Sequence, residues 1–404
     1  MPIRYAVNNR ALKAALWVID RALMSLARPR EKPAQNAPVM RVLVAIQAHL
    51  GDAILATAVI PALQQRFPGA RLGFLVHPDA AQVVAHHSAV TWVHPVEHWR
   101  LNRRHASWVS RLGQHWRTTR ACERAICEVG YDLAIDLYHY FPNSIPLLRR
   151  SGVPRIVGWS SGGFGPWLDV AAHDAGLPIN VLHRHAALLR LLDIEIDPMQ
   201  LRPVLELTRT AKQRWADISQ TRGLDRTYVA LHVGAHAAHR RWPVERWRCL
   251  AQSLMASGYA VLLLGHGAVE QDTCRTITLG CPAAIDLSGQ LDWDEMVAAI
   301  AASSLLISHD SAAVHVGAGF VKPRICIAAG INDLRIWLEQ SARSVVLMKP
   351  VPCAPCLRTQ GCSTMDCIRG VSVQDVLDSA LRLLHVQPTD ADATAGLREP
   401  HGRR

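Results

Sequence analysis

Two doubly wound α/β domains of Rossmann type, facing across a cleft, are the architecture this sequence predicts. Three observations predict it. Short apolar runs alternate with helix-patterned segments, as in a parallel sheet flanked by helices. The alternation runs once, breaks at the proline-containing connector "DIEIDPMQLRPVLELT", and begins again near Arg226. A chain of 404 residues also exceeds what one ordinary core organises, so two or three domains are expected.

In the first series the expected strands cover residues 41–46, 71–76, 132–136 and 155–157. In the second they cover 228–233, 260–264, 305–308, 324–327 and 345–348. The domain boundaries follow: a basic extension and linker over 1–40, a first domain over 41–205, a second over 206–386, and a flexible tail over 387–404. In the extension Leu12, Leu16, Ile19, Leu23 and Leu26 recur at helical spacing. Met1 to Arg41 holds eight Lys/Arg against two acids. Two readings stand for that helix: it lies on an anionic membrane surface, or it docks on the protein's own body.

The whole chain carries a formal charge of +11, which favours anionic partners without choosing among them. There are ten cysteines, no secretory signal precedes them, and no apolar run is long enough to span a bilayer. The expectation is therefore a reducing cytoplasm with free or metal-bound thiols.

Ligands of open parallel sheets bind beyond the carboxyl ends of the strands, where helix N-termini point. Three stretches stand at such places. "HLGDAIL" puts Gly51 and Asp52 at the joint of the first strand and the next helix; Asp52 reads as a helix cap or as a catalytic carboxylate. "GAHAAHRRWP" places Gly234 in a narrow small-residue loop ahead of Arg240, a residue type suited to binding two phosphate oxygens at once. "SHDSAAVH" ends a buried strand and opens a helix: Asp310 or Ser311 caps it, or Ser311 and the N–H groups of Ala312 and Ala313 hold an anion. His315, one turn on, faces a ligand or fills the core. Asp292-Trp293-Asp294 has the spacing of a metal-binding motif, but Asp292 followed by Glu295 reads as a capping box.

Taken together, these motifs resemble glycosyltransferase family 9, the ADP-heptose:lipopolysaccharide heptosyltransferases, from about Arg41 to Leu384. "YDLAIDL", "RIVGW" and "DLSGQLDWDEM" are weaker echoes of it. The resemblance implies a GT-B fold and an inverting transferase with no essential metal or other cofactor. It implies that Asp52 is the general base beside Gly51, and that Gly234, Arg240, Asp310, Ser311, Ala312 and His315 contact an ADP-sugar donor. Three departures bear on the donor: Ala312 stands where the family has Gly, Arg240 where it has Lys, and Gly330-Ile331-Asn332 where it has "GPT".

The stretch "HWRLNRRHASWVSRLGQHWRTTR" interleaves arginines with Trp99, Trp108 and Trp116. Within this architecture it reads as contact to a phosphate-rich acceptor such as lipid A and inner core, or to membrane, in preference to nucleic acid, with a solvated helix face as the alternative. Arg100, Arg103 and Arg104 are its acceptor candidates. Cys353, Cys356, Cys362 and Cys367 crowd into fifteen residues; reduced or redox-labile thiols are the leading reading and a structural zinc the alternative. The expected place of action is cytoplasmic, peripheral at the inner face of the cytoplasmic membrane. Two other functions stay open. One is a nucleotide-sugar hydrolase or epimerase on the same fold, using Asp136 or Glu270 as second carboxylate. The other is a non-catalytic basic protein that binds membrane or nucleic acid.

Overall fold

The computed structural model describes residues 5–7, 9–26, 38–100, 107–173, 180–224, 227–235, 237–338 and 341–385. The 27–37 part of the linker, the 387–404 tail, Arg103 and Arg104 lie outside them. The chain separates into two compact units, Met1–Glu206 and Leu207–Arg404.

The first unit holds β1 (Arg41–Ile46), β2 (Arg71–Val76), β3 (Val90–Pro95), β4 (Leu133–Asp136), β5 (Arg155–Trp159) and β6 (Val170–Ala172). They form one parallel sheet in the order β3-β2-β1-β4-β5-β6, with Val42 in register with both Leu72 and Leu133. β1, β2 and β4 are buried along nearly their whole length, as in a sheet covered on both faces, which is why they read as unbroken apolar runs. β3 and β6 escaped the sequence reading. β3 is half exposed and mixes the polar Thr91 and His94 with the bulk of Trp92 in "VTWVHP", and β6 has three residues. Within β2, Gly73 is obligatory, because a Cβ there would run into the Tyr131 ring, whose hydroxyl pairs with His94 Nε2 at 2.7 Å.

The second unit holds β7 (Tyr228–His232), β8 (Ala260–Leu264), β9 (Ile285–Asp286), β10 (Leu305–His309), β11 (Arg324–Ile327) and β12 (Ser344–Leu347). Its order, β12-β11-β10-β7-β8-β9, repeats the first sheet's winding. Each sheet therefore reverses its strand order once, between β1 and β4 in the first and between β7 and β10 in the second. Those switch points are where a doubly wound sheet opens a crevice.

The leading helix, Arg10–Leu26, docks on the first unit. Leu16 is buried against Gly163, and Asp20 is buried while accepting from the Tyr5 hydroxyl at 2.8 Å and the Phe164 N–H at 2.7 Å. Burial raises the Asp20 pKa, although both bonds pull it down. Leu12 and Leu23 flank this contact, half buried. Ile19, expected in the same stripe, is exposed, because Asp20 rather than an apolar residue completes the docked face. Among the described residues no helix is long and apolar enough to cross a membrane.

Candidate active site at the two sheet edges

In the first unit β1 runs straight into the helix Leu50–Ala56. Asp52 is the third helical residue and not the cap itself; its carboxylate turns back to accept the His49 N–H at 3.0 Å. Gly51 and Asp52 remain half exposed at the carboxyl edge of the sheet. The carboxylate thus serves the helix start while staying half exposed, so the capping and catalytic readings do not exclude each other.

Across the switch point, the loop after β4 contributes what the sequence reading missed. Asp136 is fully buried and accepts the N–H groups of Ser144 at 2.7 Å and Tyr138 at 3.1 Å. Burial pushes its pKa up to about 7 despite those bonds. It shapes the loop and is sealed from any water it would have to activate, so its candidacy as a second catalytic carboxylate fails. The loop presents His139 packed against Tyr140, with ring centroids 3.8 Å apart, and Phe141. Burial first, and then the charges of Arg184 and His185, lower the His139 pKa to about 3. A run of aromatics directly after a strand, "YHYF", was the available signal.

Arg100 joins this edge from the exit of β3. Its guanidinium lies 5.6 Å from the ring centroids of both Trp99 and Phe141, and its N–H donates to His98 Nδ1 at 3.2 Å. The structure thus brings Arg100 to the loop after β4, on the same edge as Asp52.

In the second unit the loops after β7 and β10 meet. His309, the last residue of β10, is buried; its Nε2 accepts the Trp242 N–H at 2.8 Å, so Nδ1 carries the proton and donates to Gly234 O at 3.2 Å. One imidazole therefore holds both ends of the loop that carries Arg240. Burial pushes its pKa down to about 4, which keeps it neutral. Gly234 is required for a second reason: a Cβ there would run into the Glu270 carboxylate. Glu270 in turn accepts the His266 N–H at 2.8 Å, which ties it to the loop after β8.

The Arg240 charge reaches Asp310, although the two side chains form no ion pair among the described residues. Burial raises the Asp310 pKa and the Arg240 charge lowers it. Ser311 occupies the cap position of the helix Ala312–Gly319, yet its hydroxyl does not cap it and pairs with Ser308 Oγ at 3.0 Å instead. The expected side-chain cap is absent, so the Ser311 hydroxyl does not serve the first N–H groups of that helix. His315 is buried, and its pKa falls to about 4 from burial and then from the Arg324 charge; its Nδ1 has no hydrogen-bond partner. It belongs to the packed interior, not to a solvent-facing surface.

The cysteine segment braces these loops. Cys356 N–H donates to Gly330 O at 3.0 Å, Leu357 N–H to Ile331 O at 2.9 Å, and Gly361 packs under His239. Cys353 and Cys362 are exposed and Cys367 is buried. Among the described residues no three His, Cys, Asp or Glu side chains gather as metal ligands. The Cys362 thiol pKa is lowered by the Met365 N–H and the Thr364 hydroxyl. Asp292 is the cap its spacing suggested, exchanging bonds with Glu295 at 2.8 and 2.9 Å.

Two parallel α/β units of identical winding, each with polar groups converging at its switch point, define the GT-B class of glycosyltransferases. The chain belongs to glycosyltransferase family 9 (heptosyltransferase), whose model matches residues 119–365. Lipopolysaccharide heptosyltransferase 1 of Pseudomonas aeruginosa is 25% identical over 334 residues, 79% of this chain and 86% of that one. Among solved structures, a family 9 glycosyltransferase from Veillonella parvula superposes with a TM-score of 0.71 at 18% identity, covering 87% of this chain and 99% of that one. The Escherichia coli heptosyltransferase WaaC, solved with ADP-2-deoxy-2-fluoro heptose, gives 0.64 at 18% identity, covering 85% and 99%. At such identities the solved structures speak for the fold.

Proposed function

We propose that this glycosyltransferase moves a heptose, or a closely related sugar, from an ADP-sugar to a lipopolysaccharide core acceptor, with inversion and without an essential metal or cofactor. The observation that carries the reading is the second unit's switch point: Arg240 and Asp310 beside a helix start that no side chain caps. That is a setting for a diphosphate, whose charge a cation and oriented N–H groups stabilise. The heptosyltransferase names of the relatives and the ADP-sugar bound by WaaC support the donor class.

In this reading the 41–205 domain takes the acceptor and the 206–386 domain the donor. Gly51 lets the acceptor approach the backbone, and Arg100, with Arg103 and Arg104, holds its phosphates and carboxylates. Asp52 accepts the proton of the attacking hydroxyl. That oxygen bonds to the anomeric carbon on the face opposite the diphosphate, the bond to the phosphate oxygen breaks, and ADP leaves with the electron pair. Arg240, Gly234, Ser311 and the N–H groups of Ala312 and Ala313 steady the departing charge. Asp310 orients Arg240, and His315 supports the helix from behind. The acceptor is lipid-borne, which places the reaction at the inner face of the cytoplasmic membrane.

Calorimetric titration with ADP-heptose, then NMR of the product made by chelator-treated enzyme, tests this. Binding of the donor and an inverted anomeric centre are expected. Salt-sensitive oligonucleotide binding without affinity for ADP-sugars would favour a non-catalytic basic protein instead.

A further inference from the structure

The long helix of the first unit, Trp108–Val129, leaves an apolar row uncovered. Trp108, Leu112, Trp116 and Arg120 follow one another at four-residue steps, so they line one strip of the helix surface. Trp108 is 72% exposed and Trp116 57%, with Val109 beside them at 60%. The Arg120 guanidinium lies 3.8 Å from the Trp116 ring centroid. From Trp108 to Arg120 there are three arginines and no acid.

The leading helix repeats the composition independently. Leu16 and Asp20 face the protein, and Trp17, 55% exposed, Val18 and Met24 face away from it. Arg21 stands over the Trp17 ring at 5.5 Å, with Arg10 and Lys13 exposed on the same helix. The one acid of this helix, Asp20, is turned inward, so its outward charges are all positive.

The leading helix and the N-terminal half of Trp108–Val129 stand at the carboxyl edge of the first sheet, while Val129 O meets Arg41 at the opposite edge. His115 Nδ1 bonds to the Glu97 carbonyl at 2.7 Å, just past the end of β3. The leading helix packs on the segment after β5, which Ser161 and Asn143 bond to the loop after β4. This is the edge that carries Asp52 and Arg100.

We propose that the Trp108–Leu112–Trp116 row and the outward face of the leading helix together seat the protein on an anionic lipid bilayer. The indole rings settle at headgroup level, where an apolar ring with a polar edge is favoured, and the arginines meet lipid phosphates. The membrane placement thereby gains a defined footprint, and its purpose rests on the reading that the acceptor is lipid-borne. The footprint itself stands on exposure and charge.

The test is sedimentation of the full chain with vesicles of phosphatidylcholine alone or mixed with phosphatidylglycerol. The expected result is binding to the mixed vesicles only, weakened by salt. Trp108→Ser/Leu112→Ser/Trp116→Ser should lower that affinity about tenfold or more, and Arg120→Gln by about fivefold. A blue-shifted tryptophan fluorescence, quenched by brominated lipid, should accompany binding and shrink in the triple variant, which keeps only Trp17 of the exposed rings in the footprint. Because these side chains are exposed, an unchanged circular dichroism spectrum and melting temperature are expected. The proposal is overturned if wild type ignores anionic vesicles, or if the triple variant binds them equally well. It is also overturned if the triple variant's only change is from oligomer to monomer, which would make the row a contact between copies of the chain. Failure of transfer to a delipidated, water-soluble acceptor would count against the transferase reading and leave the vesicle result standing.

Discussion

The two sheets share one winding and differ in what they place at the same edge. At the first, a carboxylate, buried imidazoles and a run of aromatic rings crowd the switch point, with Arg100 laid across two of the rings. At the second, small residues open a helix that no side chain caps, and the Arg240 charge reaches Asp310 just ahead of it. Topology supplies a crevice twice. Side-chain bulk then makes the two crevices different, and on the function proposed above the first takes a sugar hydroxyl and the second a diphosphate.

The contrast breaks most sharply at Asp52. Asp52→Asn keeps the bond to His49 through its amide oxygen but cannot take a proton. Turnover should fall roughly 10²–10⁴-fold while donor affinity stays put, as steady-state kinetics beside calorimetry would register. Near-normal turnover would remove Asp52 from the chemistry. Arg240→Ala should act on the other side, weakening ADP binding and cutting turnover about 10²–10³-fold. Arg240→Lys should recover part of both, since charge returns without the fork.

Acid should affect the two units unequally. Burial lowers the pKa of His94 and His185 to about 4 and of His98 and His139 to about 3, and it lowers His87 too, all in the first unit. His309 and His315 at about 4, with His232 also lowered, are the second unit's counterparts. Each takes up a proton on unfolding between its folded value and 6.5, so its share of stability is full above pH 6.5 and lost as pH falls. Asp20, Asp136 and Asp310, raised by burial, work in the opposite direction but are fewer. Hydrogen exchange at about pH 5 against about pH 7 should therefore show loosening in both units, more in the first. Absence of loosening in either unit would mean these imidazoles titrate normally in the folded chain.

The smallest effect concerns the clamp. His309→Ala strands the Trp242 N–H and Gly234 O at a cost of about 1–3 kcal/mol, and should weaken donor binding along with stability. His309→Asn offers a donor and an acceptor and should restore most of the melting temperature. If both variants behave alike, the imidazole fills space without holding the loop.

How much of this was legible in the sequence depended on whether the signal was local. β1, β8 and β10 announced themselves because continuous burial needs continuous apolar residues. β9 did not, since two residues carry no pattern. Arg240 and Asp310 were each visible as candidates, but their proximity, and the hydroxyl pairing that diverts Ser311 from capping, only the folded chain displays. The clamp by His309 was invisible because its partners lie 67 and 75 positions away. Asp136 shows the opposite failure, a carboxylate at the right end of a strand whose oxygens are taken by its own loop.

The inward-turned Asp20 has a mechanical consequence. Because it pins the leading helix through Phe164, that helix is a fixed outrigger and not a leash, and whatever it touches sets the tilt of the first sheet as well as its distance. Cutting the chain back to Arg41 would strip Leu16 from its socket and leave the Phe164 N–H without its acceptor, so trimmed versions should lose both footing and part of their own wall.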